Sequence, residues 1–204
     1  MKNLILIALL PVILIGCGGG GGSSDSDDSS ETASAGNTGS TGSSGSTGGS
    51  GSVSSNIATI GSCNVSAKQE ELFNAHNEAR GSARMCGSDS MPAVPPLEWH
   101  CLLQEAATLH SENMANIDFF SHTGADGLSP GDRMTNAGYK FRAAGENIAA
   151  GRSEVDGLMD GWLNSPGHCR NIMNSSYTQM GAGFGENSNS TYRIYSTVNF
   201  GTPR

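Results

Sequence analysis

The stretch Trp162-Leu163-Asn164-Ser165-Pro166-Gly167-His168 ends one helix and begins another within seven residues. Upstream of it, Ser153 is a capping residue, and Leu158, Met159 and Trp162 recur at helical spacing as far as Asn164. Ser165-Pro166 then opens a further turn, because a proline at the first helical position forfeits only an amide that has no partner there.

The chain on either side reads as helices first and strands last. Ser66-Ala67-Lys68-Gln69 is a capping box, followed by Leu72, Ala75, His76 and Ala79 at helical spacing up to Gly81. Three prolines between Met91 and Pro96 impose an extended loop. A long helix is expected from Glu98 to Phe119, with Leu103, Ala107, His110, Met114 and Ile117 on one stripe, which makes His110 a core histidine. Ser129-Pro130 starts a short helix that Gly138 ends. Met180 to Gly185 and Tyr192 to Phe200 flank a polar turn, Glu186 to Ser190, and read as a hairpin. The class is α+β, with helices packed around a small sheet.

Five segments occur in a fixed order: His76-Asn77-Glu78-Ala79-Arg80, Pro96-Leu97-Glu98-Trp99, Phe120-Ser121-His122-Thr123-Gly124, Gly145-Glu146-Asn147-Ile148-Ala149, and the stretch from Trp162 to His168. Together they resemble the bacterial branch of the CAP superfamily, the SCP-like extracellular or pathogenesis-related-1 type of domain, over essentially all of Gln69 to Phe200. The resemblance implies a three-layer α-β-α sandwich with a central groove.

In many eukaryotic members the groove holds two histidines and two glutamates, which bind a divalent metal in some structures. By motif, His122 matches the first histidine and Glu146 the first glutamate. Ser176, in Ser176-Tyr177-Thr178-Gln179, stands where the second histidine would be, and Asn164 and Ser165 replace the second glutamate. His168 is expected to supply the second imidazole from another backbone position, with Asn147, Ser165, Ser176 and Gln179 as groove-supporting candidates. Two imidazoles and a carboxylate suit a divalent metal, zinc foremost, with a position left open to activate water or polarise a carbonyl. The competing arrangement is a metal-free polar cluster in which Glu146 orients the histidines. Ser121, Ser165 and Ser176 lie near these residues, but none sits in a GxSxG elbow, and no catalytic nucleophile is assigned.

Four cysteines, Cys63, Cys86, Cys101 and Cys169, remain in the domain once Cys17 is set aside, and an even number in an exported domain reads as two disulfides with three possible connectivities. No CxxC pair suggests a cysteine zinc site. Related bacterial domains imply Cys86 with Cys169, which leaves Cys63 for Cys101.

Residues 1–16 carry one positive charge, Lys2, and then an apolar run too short to span a bilayer, as in a secretory signal. Leu14-Ile15-Gly16-Cys17 resembles a bacterial lipobox, which implies that Cys17 is acylated and that the protein is exported and anchored at the cell envelope by lipid. Gly18 in place of an aspartate after Cys17 points to the outer membrane where the source has one. Residues 17–62 are mostly Gly, Ser, Thr, Asp and Asn, the composition of a disordered tether, and residues 63–204 form the folded domain. That domain carries 15 acidic against 10 basic residues, which disfavours nucleic acid as a partner. The expected function is a binding module for a small apolar or lipid-like ligand or an envelope protein. The alternative is a metal-assisted hydrolase acting on peptides or envelope polymers.

Overall fold

The computed structural model describes residues 57–60 and 62–204. In chain order the elements are β1 (Ile57–Ile60), β2 (Cys63–Ser66), α1 (Ala67–Arg80), β3 (Arg84–Cys86), β4 (Asp89–Met91), β5 (Glu98–Trp99), α2 (Cys101–Ile117), α3 (Pro130–Asn136), β6 (Phe141–Ala150), α4 (Val155–Leu163), α5 (Pro166–Ile172), β7 (Gln179–Glu186) and β8 (Ile194–Pro203). A four-stranded sheet in the order β5-β7-β8-β6 forms the middle layer, and β1-β2 and β3-β4 are separate antiparallel hairpins. Helices α2 and α3 cover one face of the sheet. Helices α1, α4 and α5 pack together over the other, completing a three-layer α-β-α sandwich.

Several elements follow local chemistry. Ser66 caps α1 in a reciprocal box with Gln69, and Ser129 caps α3 with Asp132. The expected hairpin is present, with Met180 opposite Phe200 and Gly185 opposite Tyr195. Gly181, Gly183 and Gly185 line the face of β7 under α2, and a Cβ at any of them would overlap the backbone of that helix. Alternating glycines thus let α2 lie directly on the sheet.

The segment His76-Asn77-Glu78-Ala79-Arg80 is a structural clamp. His76 is fully buried, donates from Nδ1 to Leu72 O over 2.8 Å, and lies between the rings of Trp162 and Phe200. Burial lowers its pKa to about 4, so it is neutral in the folded protein. Asn77 holds Leu97 through both its amide and its carbonyl. The buried Arg80 guanidinium donates to the carbonyls of Pro95, Ile172, Asn174 and Tyr177, tying the proline loop and the stretch after α5 to α1.

Elsewhere the structure departs from the sequence expectation. The long helix begins at Cys101 with His100 as its cap, and Glu98–Trp99 instead pair in parallel with β7. Glu98 N donates to Thr178 O and His100 N to Met180 O, so sheet hydrogen bonds win over helix propagation just after two prolines. Ile117 is exposed in the last turn, and Asp118 in the left-handed conformation closes the helix. Glu154, not Ser153, occupies the N-cap of α4, and Ser165 sits at the N-cap of α5 without a side-chain capping bond. Strand β1 falls inside the stretch expected to be tether, and Ile60 packs against the main core. Residues 1–16 and Cys17 lie outside the described residues.

Cys63 is bonded to Cys101 and Cys86 to Cys169, with Cα separations of 5.3 Å and 5.4 Å. The second bridge joins the β3-β4 hairpin to α5 beside His168 and closes a sequence separation of 83 residues. In the chain-entropy account a loop of that length contributes roughly 4 kcal/mol.

Candidate functional site

Strand β6 is an edge of the sheet, and its outward carbonyls would invite another strand. Three in its middle are covered by side chains: Tyr177 Oη donates to Ala144 O, Asn171 Nδ2 to Glu146 O and Trp162 Nε1 to Ile148 O. This ladder closes the edge to strand pairing and fixes the backbone around Glu146.

The side chain of Glu146 is buried and receives two partners. His122 donates from Nδ1 to Oε1 over 2.7 Å, and Arg133 donates to Oε2 over 2.6 Å. Arg133 also donates to the carbonyls of His122 and Leu128, so one buried guanidinium binds the carboxylate and the loop that carries the histidine. His110, buried on α2, donates from Nε2 to Ser121 O at the start of the same loop, and burial lowers its pKa. With its Nδ1 proton held by Glu146, half-exposed His122 presents Nε2 as the free ring nitrogen.

His168 stands at the start of α5 and is positioned by its backbone. Asn147, fully buried, donates to His168 O and accepts from Asn171. The pKa of the His168 imidazole is lowered, first by burial and then by the charge of His122. His168 and Ser165 line a cavity of about 290 Å³ along β6, together with Phe120, Ile148, Trp162 and Tyr192. Phe120 and Tyr192 remain about half exposed, with ring centroids 6.0 Å apart.

The other expected residues divide. His122 and Glu146 form the dyad next to the cavity and are not in its wall. Ser176 and Gln179 lie apart from the groove. Ser176 N donates to Asn174 and Ser176 O accepts from Thr202, while Gln179 Oε1 accepts from Tyr139. Arg133, Phe120 and Tyr192 are the residues that sequence reasoning missed. A charged residue on the short α3 needs a counter-charge once buried, and that is the one available signal for Arg133.

As a divalent-metal centre the donor set is short. Both oxygens of Glu146 are engaged, one by a guanidinium whose positive charge opposes a cation. The remaining donors are two imidazoles, one fewer than the three protein ligands of an open zinc site. In this arrangement Glu146 is an orienting partner of His122 rather than a ligand.

The family model of the cysteine-rich secretory proteins, CAP, matches residues 73–200. The uncharacterized protein YkwD of Bacillus subtilis (strain 168) is 31% identical over 135 residues, covering 65% of this chain and 48% of the relative. Thus the chain spans about half the length of that curated relative. An extracellular protein containing a SCP domain from Bacillus anthracis str. Ames is 30% identical in its solved structure, with a TM-score of 0.53 over 66% of this chain and 40% of the other. An outer surface protein from Borrelia burgdorferi, 20% identical, shares the fold with a TM-score of 0.55 over 67% of this chain and 93% of its own. The chain belongs to the cysteine-rich secretory protein (CAP) family.

Proposed function

We propose that this protein is an exported CAP-domain module, held at the cell envelope through a lipid on Cys17, that binds a small apolar or lipid-like ligand in the groove along β6. The observation that carries the reading is the groove itself. Phe120, Ile148, Trp162 and Tyr192 give it apolar walls, and its volume of about 290 Å³ is just below the roughly 300–1,000 Å³ typical of small-molecule sites. Two half-exposed aromatic rings at one place are surface that a ligand would cover.

The envelope location is supported by the lipobox-like sequence at Cys17 and by the extracellular and outer-surface descriptions of the two structural relatives. Native mass spectrometry of freshly purified protein tests ligand binding: a bound small apolar molecule is the expected mass increment, and a ligand-free spectrum from every preparation contradicts it. Fatty-acid labelling of Cys17→Ser tests the anchor. Label should disappear, and undiminished label rejects the assignment.

Hydrolysis is a second reading, supported by the buried Glu146 and the half-exposed His122 that it orients. Such a pair is suited to act as a general base toward water. No serine or cysteine hydrogen-bonds to His122 among the described residues. Turnover of a peptide or peptidoglycan library that is lost in His122→Ala would establish the enzyme.

A further inference from the structure

Arg152 is an exposed residue in the wall of the groove and has no ion-pair partner among the described residues. It follows β6 by two residues, and its side chain lies along α4 where Gly157 and Gly161, one helical turn apart, present no side chain. A Cβ on Gly161 would stand 3.3 Å from Arg152 Nε and 3.5 Å from Cζ, and one on Gly157 would be 3.8 Å from Nη1. The guanidinium therefore rests at contact distance on bare helix. Asp156 and Asp160 of the same helix line a different cavity, on the side of α1. Among the described residues no carboxylate forms an ion pair with Arg152.

The groove is thus a positively charged place on an acidic chain. The chain has a net charge of −8, yet no aspartate or glutamate lines this cavity, and Arg152 is its single permanent charge. Burial favours the neutral form of His168 and leaves the cationic role to Arg152. One guanidinium complements one monoanion, and its planar fork matches a carboxylate through two parallel hydrogen bonds. The apolar walls complement a ring or a short hydrocarbon, and the size of the cavity limits the whole to a small molecule.

We propose that the groove recognises a small organic carboxylate, with the carboxylate on Arg152 and a ring or short apolar body against Phe120, Tyr192 and Trp162. The inference rests on the groove being the ligand site proposed above and adds the charge and size of what it takes. Gly157 and Gly161 are positioning residues in this account, since they give the guanidinium its seat.

Phenylpropanoate and its neutral amide, phenylpropanamide, are matched probes. Titrated at neutral pH and followed by amide NMR shifts, the wild-type protein should bind the carboxylate roughly tenfold or more tightly than the amide, the lower range of a charge-assisted hydrogen bond. Arg152→Ala should bring the carboxylate down to the affinity of the amide and leave the amide unchanged. Gly161→Leu keeps the charge but displaces the guanidinium from a position that itself lines the groove, and should abolish the preference for the carboxylate over the amide. Equal affinity for the two probes in the wild type overturns carboxylate recognition while leaving an apolar groove. Carboxylate preference that survives Arg152→Ala overturns the assignment to this residue, and binding of neither probe overturns the groove as a ligand site as well.

Discussion

Arg133 and Glu146 meet at 2.6 Å as a buried pair, and the other carboxylate oxygen holds His122. A buried carboxylate is costly unless paired, so the orientation of His122 depends on a residue of α3 that does not touch its imidazole. Arg133→Ala is expected to cost about 3 to 5 kcal/mol in chemical denaturation, the range for breaking a buried pair from one side. It should also speed amide exchange at Thr123, Gly124 and Leu128, whose bonds lie in the loop that Arg133 ties down. Unchanged exchange at those amides would show that the loop does not depend on Arg133.

The capping box at Ser66, the helix start at Ser129-Pro130 and the β7-β8 hairpin were legible because local residues dictate them. Strand β6 was not. Phe141-Arg142-Ala143-Ala144-Gly145-Glu146-Asn147-Ile148-Ala149-Ala150 contains one β-branched residue and small residues on both faces, so neither propensity nor alternation marks a strand. It is a strand because β8 pairs with it and because Tyr177, Asn171 and Trp162 cover its free edge, contacts that the linear chain conceals. The same reason hid the groove: motif positions identified His122, Glu146 and His168, whereas the apolar walls from Phe120 and Tyr192 come together only in three dimensions.

The β7 glycines make a sharp demand on packing. Gly183→Ala would drive a Cβ into the backbone of α2 at Ala107 and Thr108. Backbone cannot swing aside as a side chain can, so a loss of roughly 3 kcal/mol or more is expected. A melting temperature equal to that of the wild type would contradict direct contact between α2 and the sheet.

Arg80 supplies hydrogen bonds to four carbonyls that have few other ways to be satisfied. Arg80→Lys keeps the charge but loses the planar fork, and should still destabilise the fold by about 2 kcal/mol or more, with Arg80→Ala worse. Urea denaturation of the two variants checks the ranking, and a lysine variant as stable as wild type would refute the fork as the reason for arginine.

Acid should destabilise the domain before its carboxylates titrate. The pKa of His76 is about 4 when folded against an ordinary 6.5, so the unfolded chain binds the extra proton between those values. Stability is then greatest above about pH 6.5 and falls as pH drops toward 4, by about 3 kcal/mol from this residue. His100, His110 and His168 are also lowered, burial being the first cause for each, and steepen the same slope. Denaturation midpoints that stay flat across this window would contradict a neutral, buried His76.

The chain has two tryptophans, and they sit differently with respect to the groove. Both pack in the main core, but Trp162 also lines the groove, with its indole N–H donating to Ile148 O, whereas Trp99 lies away from it and donates to Gln104. Titration of ¹⁵N-labelled protein with a medium-chain alcohol, followed by the two indole N–H signals, therefore reads occupancy of the groove directly. The account predicts a saturable shift of the Trp162 signal with the Trp99 signal stationary, and a Trp162 signal that never moves, or that moves only together with Trp99, would contradict it.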